Sequence, residues 1–500
     1  MSLRVLFKRL YASFDERLLF IKQVYLDHLL VRYSLLLLLV TIPITFYQVK
    51  GFTIIPLIIS SLLLFLIIYR RSFREVVLIA SLLMASSVTL FYLTSSILTE
   101  GKERASRYIT SLYGNDSFVV DILNPIKLKA SENVVWGRLN DGSKVYLKTP
   151  SYPVVHPGER CEVFGSVERV DGSSGFGEYL TSHRTFLSGK VYEITCYSLW
   201  SQALYTISTF KFSVISQLEK VINEPYASLV IGIMFGEDRV YTSDFEEGVR
   251  VSGLSHVVAA SGFNVNFIVT VISTCLFFIP RQLRFILMLT LLSIYTVLCG
   301  NGASIMRAVL MWSVGESFNL AGISLPTIQY LLLSAVLMVL LNPFIFLDIG
   351  FQLSFMATLG IVILTKVYSD RFSLPENLVT SVICTLFTAP VIAKSFESIS
   401  LWGILSNLIL LNSIELVMGF GFIFIILSLF LAQSTLYYLS VLFEFMLSPM
   451  IFIVEISTKL GLGGINMGYI LPTIVMMCTF GLGISLLHTN YTKRLTGWGK

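Results

Sequence analysis

Residues 134–148, VVWGRLNDGSKVYLK, bring aromatic and basic side chains together in what reads as a β-hairpin. A loop of Asn140, Asp141 and Gly142 gives glycine the left-handed position that a three-residue turn requires. Leu139 then faces Ser143, and this register sets Trp136 opposite Tyr146 and Arg138 opposite Lys144 on one side. Val135, Leu139, Val145 and Leu147 take the other side. Like charges directly across a strand pair are destabilising, so such a face suits an anion. Single-stranded nucleic acid fits it: bases stack on Trp136 and Tyr146 while Arg138, Lys144 and Lys148 meet phosphates. An ordinary solvated face is the competing reading, because residues 100–200 carry equal numbers of acidic and basic side chains.

A second collection of polar side chains lies within apolar sequence. In GLSHVVAASGFNVNF, residues 253–267, a helix turning about 100° per residue puts Ser255, Ala259, Gly262 and Asn266 on one stripe, with Ser252 nearby and His256 to one side. Such a stripe either lets a neighbouring helix approach closely or lines a wet path, and AASG equally suits a break in the helix. GNGASIMRAVLM, residues 300–311, holds Arg307 in an apolar context, where its insertion costs about 2.5–3.5 kcal/mol. Arg307 should therefore face a cavity or a carboxylate; Asp348, Glu316 and Glu415 are candidates, and Ser304 shares its face. Asp348 and Gln352 lie one turn apart in NPFIFLDIGFQLSFMATLG, and Asn407, Asn412 and Glu415 interrupt another apolar run. Interhelical hydrogen bonds of about 0.6 kcal/mol each could account for one such cluster. Four suggest a shared hydrated interior, lined by Ser255, His256, Ser261, Asn264, Asn266, Ser304, Arg307, Asp348, Gln352 and Asn407. No acid, base or metal-ligand set stands at convincing spacing, so neither catalysis nor a cofactor is expected.

The elements that must position these residues follow from composition. Of 500 residues 55% are hydrophobic and 13% charged, against about 25% charged in soluble domains. Apolar runs long enough for membrane helices recur near 35–48, 52–69, 76–98, 256–279, 284–300, 325–341, 349–366, 377–396, 402–431, 435–456 and 467–488, with a weaker one at 303–319. Residues 1–32 read as a basic amphipathic helix on the cytoplasmic surface, not as a cleavable signal. Arg70, Arg71 and Arg74 mark the second loop as cytoplasmic, which puts residues 100–200 outside. The expected order is the amphipathic helix 1–32, membrane helices 33–99, an extracytoplasmic domain 100–200, an interfacial amphipathic segment 201–250, a second membrane domain 251–490 and a tail 491–500.

Within 100–200, alternating runs such as SFVVDIL, KVYLKT, RCEVFGSVERV and KVYEITC predict a small β-barrel or sandwich. Cys161 and Cys196 fall there on the oxidising side, where a disulfide would close a loop of about 35 residues and add roughly 3–4 kcal/mol. Two unrelated buried thiols are the alternative. Cys275, Cys299, Cys384 and Cys478 lie in apolar runs and read as small apolar residues.

Taken in order, these clusters resemble the ComEC-type competence family, membrane proteins that pass single-stranded DNA into bacteria. GLSHVVAASGFNVN, after ASLVIGIMFGEDRVYTSDFEEGVRV, resembles the family's signature, and GASIMRAVLM, NPFIFLDIGFQLSFMATLGI and SNLILLN resemble its later motifs. The insert ending FGEYLTSHRTFLSGKVYEI is similar to the family's extracytoplasmic OB-like domain. Asn264 stands where members usually carry a second His. Many members also have a metallo-β-lactamase-like domain; no clustered HxHxDH motif occurs among the five His, so a nuclease is expected to be absent or on a separate chain. There is no GxxxxGK[ST] loop, so ATP is not the expected direct drive.

The combined expectation is an α-helical polytopic membrane protein with an inserted all-β, OB-like domain, passing single-stranded DNA across the cytoplasmic (inner) membrane. The resemblance implies an extracytoplasmic DNA receptor and a cytoplasmic helicase-like ATPase as partners, besides membrane lipids. A transporter of lipids or other amphiphiles, with the insert receiving substrate, is the alternative.

Overall fold

The computed structural model describes residues 95–111, 117–123, 127–128, 133–150, 153–171, 174–237, 243–254, 261–396, 402–428, 430–431, 433–459, 474–476 and 478–479. The surface helix expected at 1–32, the first two predicted spans and nearly all of the third lie outside the described residues. So do the tail 491–500 and most of the span expected at 467–488. The chain divides into two compact units: residues 1–96 with 310–343, and residues 97–309 with 344–500.

In the larger unit, helix α1 (95–111) leads into six strands: β1 (Ser117–Ile122), β2 (Lys127–Leu128), β3 (Asn133–Leu139), β4 (Lys144–Thr149), β5 (Glu159–Arg169) and β6 (Leu187–Leu199). Five of them close a small barrel. β1 pairs antiparallel with β3 and β5, β3 with β4, and β5 with β6, while β4 runs parallel to β6; β2 adds only to the start of β3. Alternation in the sequence drives this closure: Val120, Ile122, Val135, Val145, Leu147, Val163 and Leu187 point inward and are fully enclosed. Gly137 permits the closing contact, because a Cβ there would lie 2.1 Å from Val120 Cγ1. The sulfur atoms of Cys161 and Cys196 lie at disulfide distance, 1.97 Å, on directly paired positions of β5 and β6.

A short helix, α2 (Gly175–Ser182), fills the connection between β5 and β6. Ser174 starts it by accepting a hydrogen bond from the Gly177 amide at 3.0 Å. Beyond β6 come α3 (Gln202–Val221), α4 (Tyr226–Phe235), α5 (Ser243–Val251), α6 (Gly262–Cys275) and α7 (Arg281–Leu298), then α8 (Ala303–Leu320) and α9 (Thr327–Leu341). The remaining helices are α10 (Ile349–Phe372), α11 (Glu376–Phe396), α12 (Trp402–Ser428) and α13 (Gln433–Lys459). In the smaller unit, α9 follows the second half of α8, with the Tyr330 ring against Gly315.

Four stretches, α7, α10, Glu376–Ser395 and Thr435–Lys459, are long and apolar enough to cross a membrane; α4, α6, α9 and Leu416–Ser428 are shorter apolar helices. α7 exposes Ile286, Leu287, Leu291 and Ile294, and α13 exposes Tyr438, Val441, Leu442, Phe445 and Phe452. Rows of this kind are stable only under hydrocarbon, and the chain is a multi-pass membrane protein.

Two sequence expectations change in detail. The segment 201–250 is not interfacial throughout: α4 is enclosed from Ala227 to Phe235, in a core with α3, α12 and α13. ASLVIGIMF is apolar on every side, and a helix without a polar face belongs in a core. Within the span expected at 256–279, the extended Ser261 caps a helix that starts at Gly262; residues 256–260 lie outside the described residues. The helix break that AASG allowed is therefore present at Ser261.

Candidate functional site

The hairpin register is the expected one. Trp136 pairs with Tyr146 and Arg138 with Lys144, and Gly142 is left-handed at φ 84°. Asp141 fastens the turn by accepting from the Ser143 amide at 2.9 Å and its hydroxyl at 2.8 Å. Trp136, Arg138, Lys144, Tyr146 and Lys148 thus share the outer face of β3 and β4. The parallel neighbour β6 extends it, with Ser188 beside Tyr146 and Lys190 beside Lys148.

α2 lies across one end of this face and adds what sequence reasoning missed. Trp136 has its ring centroid 5.2 Å from Tyr146 and 5.0 Å from His183, and Tyr146 lies 5.2 Å from Phe176. Tyr179 contacts both Trp136 and His183. Phe176, half exposed, is the most open ring of the cluster. Arg184 follows in a left-handed conformation, φ 56°, which costs a non-glycine residue energy; its amide bonds Thr181 O at 2.9 Å. FGEYLTSHR carried the signal, aromatic and basic residues at helical spacing, but nothing in the sequence alone brought it onto the hairpin.

The electrostatics of the face are repulsive. Burial first, then the charges of Arg184 and Arg138, hold the Lys144 ammonium below the ordinary lysine range. Its Nζ donates to the neutral His183 carbonyl at 3.3 Å. Arg138 lies over the Trp200 ring at 5.8 Å. Asp121, across the strand pair from Arg138, is engaged bidentately by Arg160 at 2.5 and 2.9 Å. The face is therefore a basic and aromatic surface whose own charges disfavour one another.

In the helical region the expected lining residues separate into groups. Ser304 and Arg307 meet Ser354 and Thr358 of α10: Ser304 Oγ lies 2.9 Å from Ser354 Oγ, and Arg307 donates to Ser354 Oγ at 2.9 Å and to Thr358 Oγ1. Ser261 caps α6 immediately beside this group, accepting from the Phe263 amide at 3.3 Å. Asn264 points elsewhere; it is 2% exposed and donates to Ile233 O at 2.6 Å and to Tyr295 Oη at 3.2 Å. Asn266 is exposed. Asp348 caps α10 through the Phe351 amide at 2.7 Å, and Gln352 braces the same turn through Phe346 O at 2.6 Å. Asp348 also lies 3.9 Å from His183 Nε2, which links α2 of the barrel to the start of α10. Ser255, His256 and the side chain of Asn407 lie outside the described residues.

Of the carboxylates weighed for Arg307, Asp348 faces His183 and its own helix cap, and the Glu415 side chain lies outside the described residues. Ser354 and Thr358, a hydroxyl pair one turn apart, were legible as a polar stripe within NPFIFLDIGFQLSFMATLG. A buried ion pair was not anticipated at all: Lys211 Nζ lies 2.5 Å from Glu237 and 2.6 Å from Leu298 O, and both charged side chains are enclosed. It surrounds the end of α4 together with Tyr295, which donates to Met234 O at 2.9 Å.

Comparison with known proteins follows the same outline. The chain is 25% identical over 269 residues to ComE operon protein 3 of Bacillus subtilis (strain 168), an alignment covering 51% of this chain and 34% of that protein. It thus spans about a third of that relative's length. No solved structure matches. Residues 233–491 match the competence protein family, a stretch that takes in α6, α8, α10, α12 and α13 and more than half of the sequence. The chain belongs to the competence protein family.

Proposed function

We propose that this protein passes single-stranded DNA across the cytoplasmic membrane during natural transformation, without chemistry of its own. In this reading the barrel stands on the outer side and captures the strand, and the helices conduct it. The observation that carries the reading is the position of the basic and aromatic face. Numbering only the five barrel strands, the ring order is first, second, third, fifth, fourth and back to first, an OB-like arrangement. OB folds bind oligonucleotides on the second and third strands and on the connections between strands one and two and between four and five. Here those are β3, β4 and the α2 segment, the elements that carry Trp136, Arg138, Lys144, Tyr146, Lys148, Phe176, His183 and Arg184.

Family membership supports the same reading for the helical part, and Cys161 with Cys196 would form their disulfide outside the cell. Energy would come from a separate cytoplasmic helicase-like ATPase, DNA delivery from an extracytoplasmic receptor, and removal of the unused strand from a separate nuclease. The test is uptake of labelled DNA by a strain deleted for the gene, with and without the gene restored. Restored uptake is expected. Equal uptake in both strains would remove the proposal.

A further inference from the structure

Among the described residues the helical region encloses two cations, Lys211 and Arg307, and treats them differently. Lys211 has Glu237 against it. Arg307, only 8% exposed, has Nε on Ser354 and Nη1 on Thr358, both neutral hydroxyls. Among the described residues no carboxylate pairs with it. The sequence extends that statement: residues 252–278, 299–315 and 349–369, in and around α6, the start of α8 and α10, contain no Asp or Glu. The remaining nitrogen, Nη2, is turned toward the start of α6, where a Cβ on Gly262 would lie 2.9 Å from it. That start carries the positive end of a fourteen-residue helix, with Ser261 supplying a single neutral cap. Among the described residues a guanidinium and a helix N-terminus therefore lie against one another with no carboxylate beside them, and glycine at 262 permits the close approach.

We propose that Arg307 Nη2 and the first turn of α6 form a site for one phosphodiester group of a nucleic-acid strand, a site that rests on the functional reading above. The fixed planar fork suits the role: two nitrogens are tied to α10, which aims the third. A strand is favoured over a lipid headgroup because Arg307 is only 8% exposed, held by α10 and against α6, whereas the residues that face outward on α7 and α13 are apolar.

The direct test is protection of Arg307 from phenylglyoxal in the full chain held in phosphate-free detergent, read by mass spectrometry of its peptide. Three additions are compared: oligothymidylate, the same oligomer with an uncharged methylphosphonate backbone, and phosphatidylglycerol. Modification of the free chain with protection by oligothymidylate alone is expected. An unreactive Arg307, protection by the uncharged oligomer, or protection by phosphatidylglycerol equal to that by oligothymidylate would overturn the site. In cells, Arg307→Gln should lower uptake by about tenfold or more, with Arg307→Lys recovering part of it. Uptake unchanged in Arg307→Gln, while the wild type takes up DNA, would sink this site but leave the functional reading standing. A wild type that binds no oligothymidylate would remove both.

Discussion

The barrel and the helical region handle charge in opposite ways. On the barrel, Arg138, Lys144 and Arg184 crowd one face, and burial, then the charges of Arg184 and Arg138, already disturb Lys144. In the helical region Lys211 and Arg307 are enclosed, one matched by a carboxylate and one by hydroxyls only. Many solvent-exposed charges give a surface that gathers a polyanion at a distance and releases it at high salt. A single desolvated charge acts only on contact and is nearly blind to salt. Under the proposed function, gathering at the barrel and contact within the helices is the division of labour that a conduit for a charged polymer needs.

The largest expected effect would sharpen that contrast from the structural side. Lys211→Met or Glu237→Gln alone leaves the partner charge buried and should cost about 3–5 kcal/mol. Lys211→Met with Glu237→Leu together should restore most of the loss. Denaturant titration of the full chain in detergent measures it, and a double variant as unstable as either single one would show that the pair does more than match charge.

On the barrel, replacing Cys161 and Cys196 together with Ser should cost roughly 3–4 kcal/mol by the chain-entropy argument. Protease resistance of the 117–199 region with and without reductant is the readout, and equal resistance would show that the barrel needs no staple.

The smallest effect is the most specific to the comparison. Lys144→Met should stabilise the barrel slightly, on the order of 0.5 kcal/mol since the site is solvated, while weakening strand binding. The sign follows from the lowered folded-state value: below it the protonated Lys144 is disfavoured by folding, and stability rises with pH until the unfolded lysine also titrates near 10.5. Strand affinity should run the other way and fall as Lys144 loses its proton. A variant that loses both stability and affinity would mark Lys144 as a packing residue.

Much of the barrel was legible because period-two alternation and one glycine-bearing turn determine strands and register locally. Trp136 opposite Tyr146 and Arg138 opposite Lys144 needed no tertiary information. What α2 adds to that face was not legible, since Phe176, Tyr179 and His183 reach it only through closure of the ring. In the helices, periodicity located the apolar runs well, as at 281–298 and 349–372. It could not say which polar residues meet. Asn264 and Arg307 look alike in sequence, each a polar group in a greasy run, yet one braces the end of α4 and the other faces α10. The Lys211–Glu237 pair stayed hidden for the same reason, its members being separated by all of α4.

The central claim is that the β3, β4 and α2 face captures single-stranded DNA through phosphates and stacked bases. It is tested most directly by the affinity of the full chain for oligothymidylate across a salt series, in wild type and in the Trp136→Ala, Arg138→Ala double variant. The account predicts a log–log slope of about −0.7 per phosphate engaged, shallower by roughly one unit in the variant, and a loss of about 1–3 kcal/mol from the missing stack. Affinity that ignores both salt and the two substitutions would contradict it.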